Sequence, residues 1–306
     1  ELLSKVDTLV FDKTGTLTQG RFEVSAIHSG SVNDQQLLDL AAAVESFSSH
    51  PIAASIVRAH KGHIESDRVT NVREVAGQGL MAEIDGRLVA VGNGRLMEAQ
   101  GAQWHECHLP GTAVHICRDG EYLGHVVISD VVKPEAAEAL RQLKALGVKK
   151  TVMLTGDKKD TAEAVRAETG VDEAYSQLMP QDKVTRVEGL LGEGHTVAFV
   201  GDGINDAPVL SRADLGIAMG AMGSDAAIEA ADVVLMDDHL DRLPKVIAIS
   251  RRTMRIVHEN IVFSLAVKGI VLVLSALGLV NMWVAVFADV GVLILAVLNA
   301  MRTLRG

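Results

Sequence analysis

The chain has 306 residues, 48% of them hydrophobic, and a formal net charge of −10 at pH 7. This length allows one large domain or two to three smaller ones, and the negative charge argues against nucleic-acid binding through the phosphate backbone. The two cysteines are too few for a disulfide framework, which favours a reducing, cytosolic compartment.

The first predicted element is a buried strand close to the N-terminus. A mostly apolar run, Val6–Phe11, stops at Asp12, and Lys13 and a threonine–glycine turn follow. Short apolar runs bounded by turn residues are typical of buried strands, so this strand ends by presenting an acid beside a base. No signal peptide precedes it, and we expect the chain to be part of a longer protein.

The next segment, residues 20–127, changes in character. Two stretches, DQQLLDLAAAVESF and PIAASIVRAH, have helical patterns. Two later stretches, REVAGQGLMAEIDGRLVAVGN and TAVHICRDGEYLGHVVI, contain Asp-Gly pairs, which favour hairpin turns. We interpret this segment as an α+β domain inserted after the first strand.

Strands and helices alternate in the following part of the chain. TVMLTGD and TVAFVGDG read as short strands, and KPEAAEALRQLKAL reads as a helix with Pro134 in its first turn. This alternation predicts βαβ units and a parallel sheet. Residues 1–19 and 128–245 together are therefore predicted to form one α/β domain.

Two long apolar runs follow, at residues 260–280 and 281–300. Each has about the 20 residues that a transmembrane helix needs, and we place the helices at 256–280 and 282–302. Arginines lie before the first run and after the second: Arg251, Arg252, Arg255, Arg302 and Arg305. The positive-inside rule then puts both ends in the cytoplasm. The alternative is a buried helical hairpin of a soluble protein.

Aspartates follow three of the predicted strands: Asp12, Asp157 and Asp202. In an open parallel sheet, ligands bind outside the carboxyl ends of the strands, so these acids should converge. Converging carboxylates repel one another unless they hold a cation, and oxygen ligands suit Mg²⁺ paired with phosphates. The pattern indicates phosphoryl transfer, whereas any one of these aspartates alone would be typical of a turn or a helix cap.

Each residue near these strand ends has a chemical role in such a site. Asp12 is a candidate nucleophile that forms an aspartyl-phosphate. Lys13 and Lys183 would offset the charge of the phosphate. Thr155 and Gly156 can donate hydrogen bonds to phosphate oxygens.

Three motifs, DKTGTLT from Asp12, TGD from Thr155 and GDGINDAP from Gly201, resemble those of P-type ATPases. The phosphorylation domain of that family has the haloacid-dehalogenase-like fold. The resemblance covers the whole chain, as a phosphorylation domain, an inserted nucleotide-binding domain and the last membrane pair. It implies ATP and Mg²⁺, with Mg²⁺ held by Asp202, Asp12 and the Thr14 carbonyl. The catalytic set it implies is Asp12, Lys13, Thr14, Thr155, Gly156, Asp157, Lys183, Asn205 and Asp206.

Thr14 separates two activities within this superfamily. Soluble phosphatases of the fold have a second aspartate two residues after the nucleophile, and it hydrolyses their phospho-enzyme. A threonine is no general base near neutral pH, so the phospho-aspartate should persist. This favours a pump over the alternatives, a soluble phosphatase or a non-catalytic ATP-binding regulator.

Five residues of the inserted segment resemble the ATP site of heavy-metal (type IB) P-type ATPases: Glu45, His50, Gly77, Gly79 and Gly92. In that family, the His and Glu contact the adenine end, and the glycines let the backbone approach the nucleotide. A His-Pro pair alone is more typical of a helix start.

Charges within the apolar runs bear on the transported ion. Lys268 and Asp289 lie in mid-span, where a charge costs about 2.5–3.5 kcal/mol and is usually paired. They resemble the zinc, cadmium and lead exporters, which implies Asp289 as the ligand of the transported ion and Lys268 as its counter-ion. The copper exporters, an alternative, carry Tyr-Asn and Met-Ser-Ser there. A second alternative is that Lys268 and Asp289 line a water-filled crevice and bind no ion.

The resemblance also predicts location and partners. We expect a multi-pass protein of the cell (inner or plasma) membrane with cytoplasmic catalytic domains. Its missing N-terminal part would supply a Cys-Pro-Cys membrane helix and an actuator domain. A further group around the stretch WHECH has metal-ligand residue types without CxxC or HxxxH spacing. We interpret it as a solvated loop, with a regulatory metal site as the alternative: His105, Cys107, His108, His115 and Cys117.

Overall fold

The computed structural model describes residues 1–202, 206–220, 229–279 and 281–305. The strands of these residues are β1 (Thr8–Asp12), β2 (Thr18–Ser29), β3 (Val69–Val75), β4 (Gly79–Ile84), β5 (Arg87–Gly92), β6 (Thr112–Arg118), β7 (Glu121–Val132), β8 (Lys150–Leu154), β9 (Glu173–Tyr175), β10 (Val197–Gly201), β11 (Leu215–Met219) and β12 (Val233–Leu235). The α-helices are α1 (Leu2–Lys5), α2 (Asp34–Glu45), α3 (Pro51–Ala59), α4 (Gly94–Ala99), α5 (Ala136–Ala145), α6 (Lys159–Thr169), α7 (Pro180–Gly192), α8 (Ala207–Leu210), a long helix (Arg242–Ala276) and a C-terminal helix (Met282–Ala300).

The first sheet is parallel and has the order β12-β11-β10-β1-β8-β9. Strand β1 lies in its interior between β10 and β8, and Leu9, Val10 and Phe11 are fully buried. Alternate side chains point to opposite faces, so Leu9 and Phe11 pack with α5, α6 and the long helix, whereas Val10 packs with α7 and α8. The predicted α/β fold is confirmed, and its parallel strands all end at one edge.

The second sheet is antiparallel and has the order β2-β7-β6-β5-β4-β3. Its core contains buried residues of α2 and α3, which cover one face. The two predicted hairpins are present, and their turns have the positive φ angles that Asp-Gly pairs adopt, with Asp85 at 51° and Asp119 at 50°. This is the α+β segment that the sequence predicts.

Strands β2 and β7 connect the two sheets. Their pairing runs from Thr18 opposite Val132 to Ser29 opposite Gly124. The division of the chain at 19/20 and 127/128 therefore falls within paired strands and not in linkers. The assignment of separate domains stays a prediction, but the antiparallel pairing begins close to the end of β1.

The two C-terminal helices lie against each other in antiparallel orientation, since Asn260 Nδ2 donates to the Ala296 carbonyl at 3.1 Å and Lys268 contacts Asp289. Both are long and apolar enough to cross a membrane, and only 6% of the apolar window of each is buried. This exposure disagrees with the alternative of a buried soluble hairpin. The long helix begins at Arg242, before the predicted membrane span of 256–280, and its first turns pack Leu243 into the core of the parallel sheet. The bounds of the span stay a prediction.

Candidate active site

Asp12 lies at the carboxyl end of β1, at the edge where the parallel strands end. Its side chain is largely buried, and the chain turns sharply after it through Lys13–Leu17. Gly15 in this turn has a φ of +72°, and a Cβ there would lie 3.1 Å from Asp202 Oδ2. Gly15 therefore allows both the left-handed backbone and the approach of Asp202, which follows β10, to the Asp12 loop.

Lys183 connects two carboxylates of this site. Its Nζ lies 2.6 Å from Asp12 Oδ1 and 2.9 Å from Asp206 Oδ1. Burial and the Asp206 carboxylate raise the pKa of Asp12 to about 6, and Lys183 opposes this rise. Burial would lower the pKa of Lys183, but the two carboxylates raise it above its usual value. The ammonium of Lys183 thus favours the ionised form of Asp12, against the effect of burial.

Lys13 contacts a different pair of acids. Its buried Nζ lies 2.6 Å from Asp157 Oδ2 and 3.4 Å from Asp130 Oδ2. It therefore holds the end of the TGD motif against the loop that follows Asp12. The predicted role of Lys13 in offsetting phosphate charge stays a prediction.

The TGD motif is fixed by the backbone of the strand next to it. The amide of Thr155 donates to the Tyr175 carbonyl at 2.9 Å, and the Leu178 amide donates to the Thr155 carbonyl at 3.1 Å. The buried Thr155 hydroxyl accepts a hydrogen bond from the Asp157 amide at 3.1 Å. Its own proton remains available for an oxygen of a bound phosphate.

Two residues near this site had no predicted role, Asp130 on β7 and Thr18 on β2. The Thr18 hydroxyl lies 2.5 Å from Asp130 Oδ2 and 3.0 Å from the Lys13 carbonyl. The side chain of Asp130 is almost fully buried. In the sequence, Asp130 is noticeable only as an acid within the mostly apolar stretch GHVVISDVV. The pairing of β2 with β7 brings it to Lys13.

Two further predicted acids belong to this site, Asp206 of the catalytic set and Asp202 of the Mg²⁺ ligands. Asp206 and Asp202 lie at the carboxyl edge with Asp12, and Asp206 is buried. Asn205 lies outside the described residues. Carboxylates gathered at one edge fit a hard cation with oxygen ligands, so Asp12 and Asp202 are suited to hold Mg²⁺.

Glu45 and His50 lie on either side of the junction between α2 and α3. Glu45 is buried at the end of α2, and burial raises its pKa to about 7. His50 is the exposed N-cap of α3, where its Nδ1 accepts a hydrogen bond from the Ile52 amide at 3.2 Å. An accepting Nδ1 leaves the proton on Nε2 in the neutral ring, so Nε2 is a donor available to a ligand.

The three predicted glycines lie at the β3–β4 turn and in the facing strands β4 and β5. Gly79 and Gly92 oppose each other. A Cβ on Gly79 would lie 2.2 Å from the Val91 carbonyl oxygen, and a Cβ on Gly92 would lie 2.1 Å from the Gln78 carbonyl oxygen of the turn. The close approach of the backbone at these two positions therefore leaves no room for a side chain. Gly77 has a φ of +68° and its carbonyl accepts from Asn93 Nδ2 at 2.9 Å, so it shapes the turn.

Lys268 and Asp289 form the ion pair that their positions in the sequence predict. Lys268 Nζ lies 3.1 Å from Asp289 Oδ1, and both side chains are more than half exposed in this chain. They line a groove of about 540 Å³ between the two helices. The pair therefore faces space that another part of a larger protein, or an ion, can occupy.

The histidine and cysteine residues around WHECH divide between a cluster near His125 and positions outside it: the rings of His105 and His115 each have their centroid 5.4 Å from that of His125. Cys117 is buried within β6, and His108 is exposed. Cys107 lies instead close to His28 and His125, which are far from it in sequence.

The parallel sheet, the strand-end aspartates and the bridging lysine define the class of protein. Residues 6–214 match the model of the haloacid dehalogenase-like hydrolase family, and residues 183–247 match a second haloacid dehalogenase-like hydrolase model. The chain belongs to the haloacid dehalogenase-like hydrolase family.

Particular relatives are metal-transporting ATPases. The chain is 49% identical to a cadmium, zinc and cobalt-transporting ATPase of Bacillus subtilis, over 100% of the chain and 44% of that protein. It is 47% identical to a zinc-transporting ATPase of Synechocystis, over 98% of the chain and 42% of that protein. A probable copper-exporting P-type ATPase V of Mycobacterium tuberculosis is 40% identical, over 93% of the chain and 38% of that protein.

Solved structures agree with these relatives. A zinc-transporting PIB-type ATPase in its E2.Pi state is 38% identical, with a TM-score of 0.87 over 99% of this chain and 50% of that chain. A structure of the catalytic domain of the CPx-ATPase CopB-B, which concerns conformational changes upon nucleotide binding, is 32% identical. Its TM-score is 0.65, over 80% of this chain and 91% of that chain. The resemblance to heavy-metal P-type ATPases is confirmed, and the chain spans about half the length of the curated relatives it matches.

Proposed function

We propose that this chain is the ATP-hydrolysing part of a membrane pump that exports Zn²⁺, Cd²⁺ or Pb²⁺ and that is phosphorylated on Asp12. The observation that carries the proposal is the contact of Lys183 with both Asp12 and Asp206 at the strand ends. Thr14 occupies the position of the second acid in soluble phosphatases of the fold, which argues against rapid hydrolysis of the phospho-enzyme.

In the proposed reaction, an Asp12 carboxylate oxygen attacks the γ-phosphorus of ATP. The new oxygen–phosphorus bond forms as the bond to the β,γ-bridging oxygen breaks, and ADP leaves with that oxygen. Lys183 holds Asp12 in place and reduces the repulsion between the carboxylate and the phosphate. Bound Mg²⁺ would neutralise phosphate charge, and Asp12 and Asp202 would hold it.

The test of this proposal is to incubate the chain with ATP labelled at its γ-phosphate. We expect label that is stable in acid and released by hydroxylamine, as an acyl phosphate is. A soluble phosphatase would show only transient label, and a non-catalytic ATP-binding regulator would show none.

The same proposal assigns ATP binding to the antiparallel part of the chain. Glu45 and His50 would contact the adenine end, near the turn formed by Gly77, Gly79 and Gly92. The exposed Nε2 donor of His50 supports this assignment, because a ring nitrogen of adenine can accept its hydrogen bond.

His50→Asn tests this role with the helix cap preserved, because asparagine is a good N-cap. The loss of one net hydrogen bond of about 1–1.5 kcal/mol should raise the ATP concentration for half-maximal phosphorylation about five- to tenfold. The maximal label should not change. His63→Asn, at an exposed histidine of the same region, is the control. An ATP dependence identical to that of the unmodified chain would contradict the assignment.

Asp202→Asn tests the Mg²⁺ site. Loss of one anionic oxygen ligand should raise the Mg²⁺ concentration for half-maximal phosphorylation at least about tenfold, and excess Mg²⁺ should restore part of the label. The measurement is a Mg²⁺ titration at constant ATP, with Asp67→Asn, an exposed acid of the antiparallel part, as the control. A titration curve that matches the control would exclude Asp202 as a ligand.

For the transported ion, the proposal assigns Asp289 as a ligand and Lys268 as the counter-ion that pairs with it when no ion is bound. Their 3.1 Å contact supports this pairing. A carboxylate oxygen suits Zn²⁺ better than the soft Cu⁺ ion, which disfavours copper export. The proposed pump would also need an N-terminal part that supplies further ligands and the actuator domain, with the catalytic parts in the cytoplasm.

A further inference from the structure

Three side chains with metal-binding atoms meet on the antiparallel sheet, away from the active site. His28 lies on β2, His125 lies on β7, and Cys107 lies in the connection between α4 and β6. His28 and His125 are directly opposed in the register of their strands, and His28 Nδ1 lies 3.0 Å from His125 Nε2. The ligand atoms of the three residues all lie within 4.8 Å of one another.

A hydrogen-bond network orients the imidazole of His125. The Tyr122 hydroxyl lies 3.0 Å from His125 Nδ1 and 2.9 Å from His115 Nδ1. These contacts are satisfied together when His125 Nδ1–H donates to the tyrosine oxygen and the tyrosine proton is donated to His115. His125 Nε2 then carries a lone pair on the side of His28 and Cys107. Metal-binding histidines are commonly oriented in this way by a partner on the second nitrogen.

The thiol of Cys107 is also positioned by the backbone. Its Sγ accepts a hydrogen bond from the Leu109 amide at 3.4 Å, which fixes the position of the sulfur. Cys107 is only half-buried, so an ion can reach it from solvent.

We propose that His28, Cys107 and His125 bind one borderline-soft divalent ion such as Zn²⁺, Cd²⁺ or Co²⁺, with a fourth position open to water. One thiolate and two imidazoles are a ligand set of this ion class. Zinc bond lengths of about 2.3 Å to sulfur and about 2.0–2.1 Å to nitrogen place tetrahedral ligand atoms about 3.3–3.6 Å apart. The ligand atoms of the three side chains, all within 4.8 Å of one another, approach this spacing.

The test uses Co²⁺ and the full 306-residue chain in detergent, in an Asp289→Ala background that removes the proposed transport ligand. Thiolate bound to Co²⁺ gives a charge-transfer absorption in the near ultraviolet. We expect this band to saturate at one equivalent of Co²⁺ and to disappear in Cys107→Ser. Cys117→Ser is the matched control, because these are the only two cysteines of the sequence, and it should keep the band.

The histidines are tested in the same titration. His28→Gln changes an exposed side chain, so the fold should be retained, and the affinity for Co²⁺ should fall at least about tenfold. His108→Gln, next to Cys107 in the same loop, should leave the affinity unchanged.

Bound metal should also raise the unfolding temperature of the chain with Cys107 but not that of Cys107→Ser. The proposed metal site would be wrong if the chain with both cysteines showed no band. It would also be wrong if the band survived in Cys107→Ser or was lost in Cys117→Ser. None of these results depends on ATP or transport, so they do not bear on the proposed function.

Discussion

Asp12→Asn is expected to reduce acid-stable label from γ-labelled ATP to less than about one thousandth of the level in the unmodified chain. The amide lacks the anionic oxygen that attacks phosphorus, and two of the described neighbouring carboxylates are held by lysines. Asp206 is held by Lys183, and Asp157 is held by Lys13. The label is measured after acid quenching, with and without hydroxylamine.

ATP binding should survive this substitution, because removal of one negative charge reduces repulsion of the phosphates. Nucleotide binding, measured by calorimetry, therefore separates loss of the nucleophile from loss of the fold. Asp67→Asn, an exposed acid on the antiparallel part, should label like the unmodified chain. Persistent hydroxylamine-sensitive label in Asp12→Asn would show that another residue is phosphorylated.

Asp289→Ala is expected to abolish zinc-stimulated ATP hydrolysis in the proposed pump, in which this chain is joined to an N-terminal membrane part. Lys268 lies about ten residues into its apolar run, which is roughly 15 Å at 1.5 Å per residue, and this depth is near the middle of a core about 30 Å thick. Loss of Asp289 removes the carboxylate that the proposal assigns to the ion. Asp289→Glu keeps a carboxylate and should retain part of the activity.

A second variant separates loss of the ligand from misfolding. Asp289→Ala alone leaves the Lys268 ammonium unpaired within the membrane, at a cost of about 2.5–3.5 kcal/mol on insertion scales. The double variant Lys268→Met with Asp289→Ala carries neither charge, so it should insert well and still lack the zinc response. ATPase activity is measured over a zinc titration. A normal zinc response in the double variant would leave the pair with a structural role only.

Local sequence was sufficient for most of the elements of this protein. The apolar run before Asp12 formed β1, and the Asp85-Gly86 and Asp119-Gly120 pairs formed hairpin turns. These predictions depend only on side-chain periodicity and on φ preferences over a few neighbouring residues. The pairing of Lys268 with Asp289 was predictable for a similar reason, since two unpaired charges in apolar helices are costly.

Element ends and element joins were less predictable. The division at 127/128 falls inside β7, because that strand continues through GHVVISDVV without a turn signal. The long helix begins at Arg242, where Leu243 packs in the parallel-sheet core. Packing against distant elements decided these ends, and no local pattern marks them.

The sequence by itself determined the chemistry of the catalytic edge, because Asp12, Asp157 and Asp202 each follow a short apolar strand and parallel strands end together. Only the tertiary structure decided which groups pair there. It placed Lys183 between Asp12 and Asp206, and it brought Asp130 to Lys13.

The tertiary structure also set the long-range pairing of β2 with β7, which placed His28 beside His125 and Cys107 near both. The physical reason is that strand register between segments about a hundred residues apart depends on the summed burial of many side chains and not on any local motif.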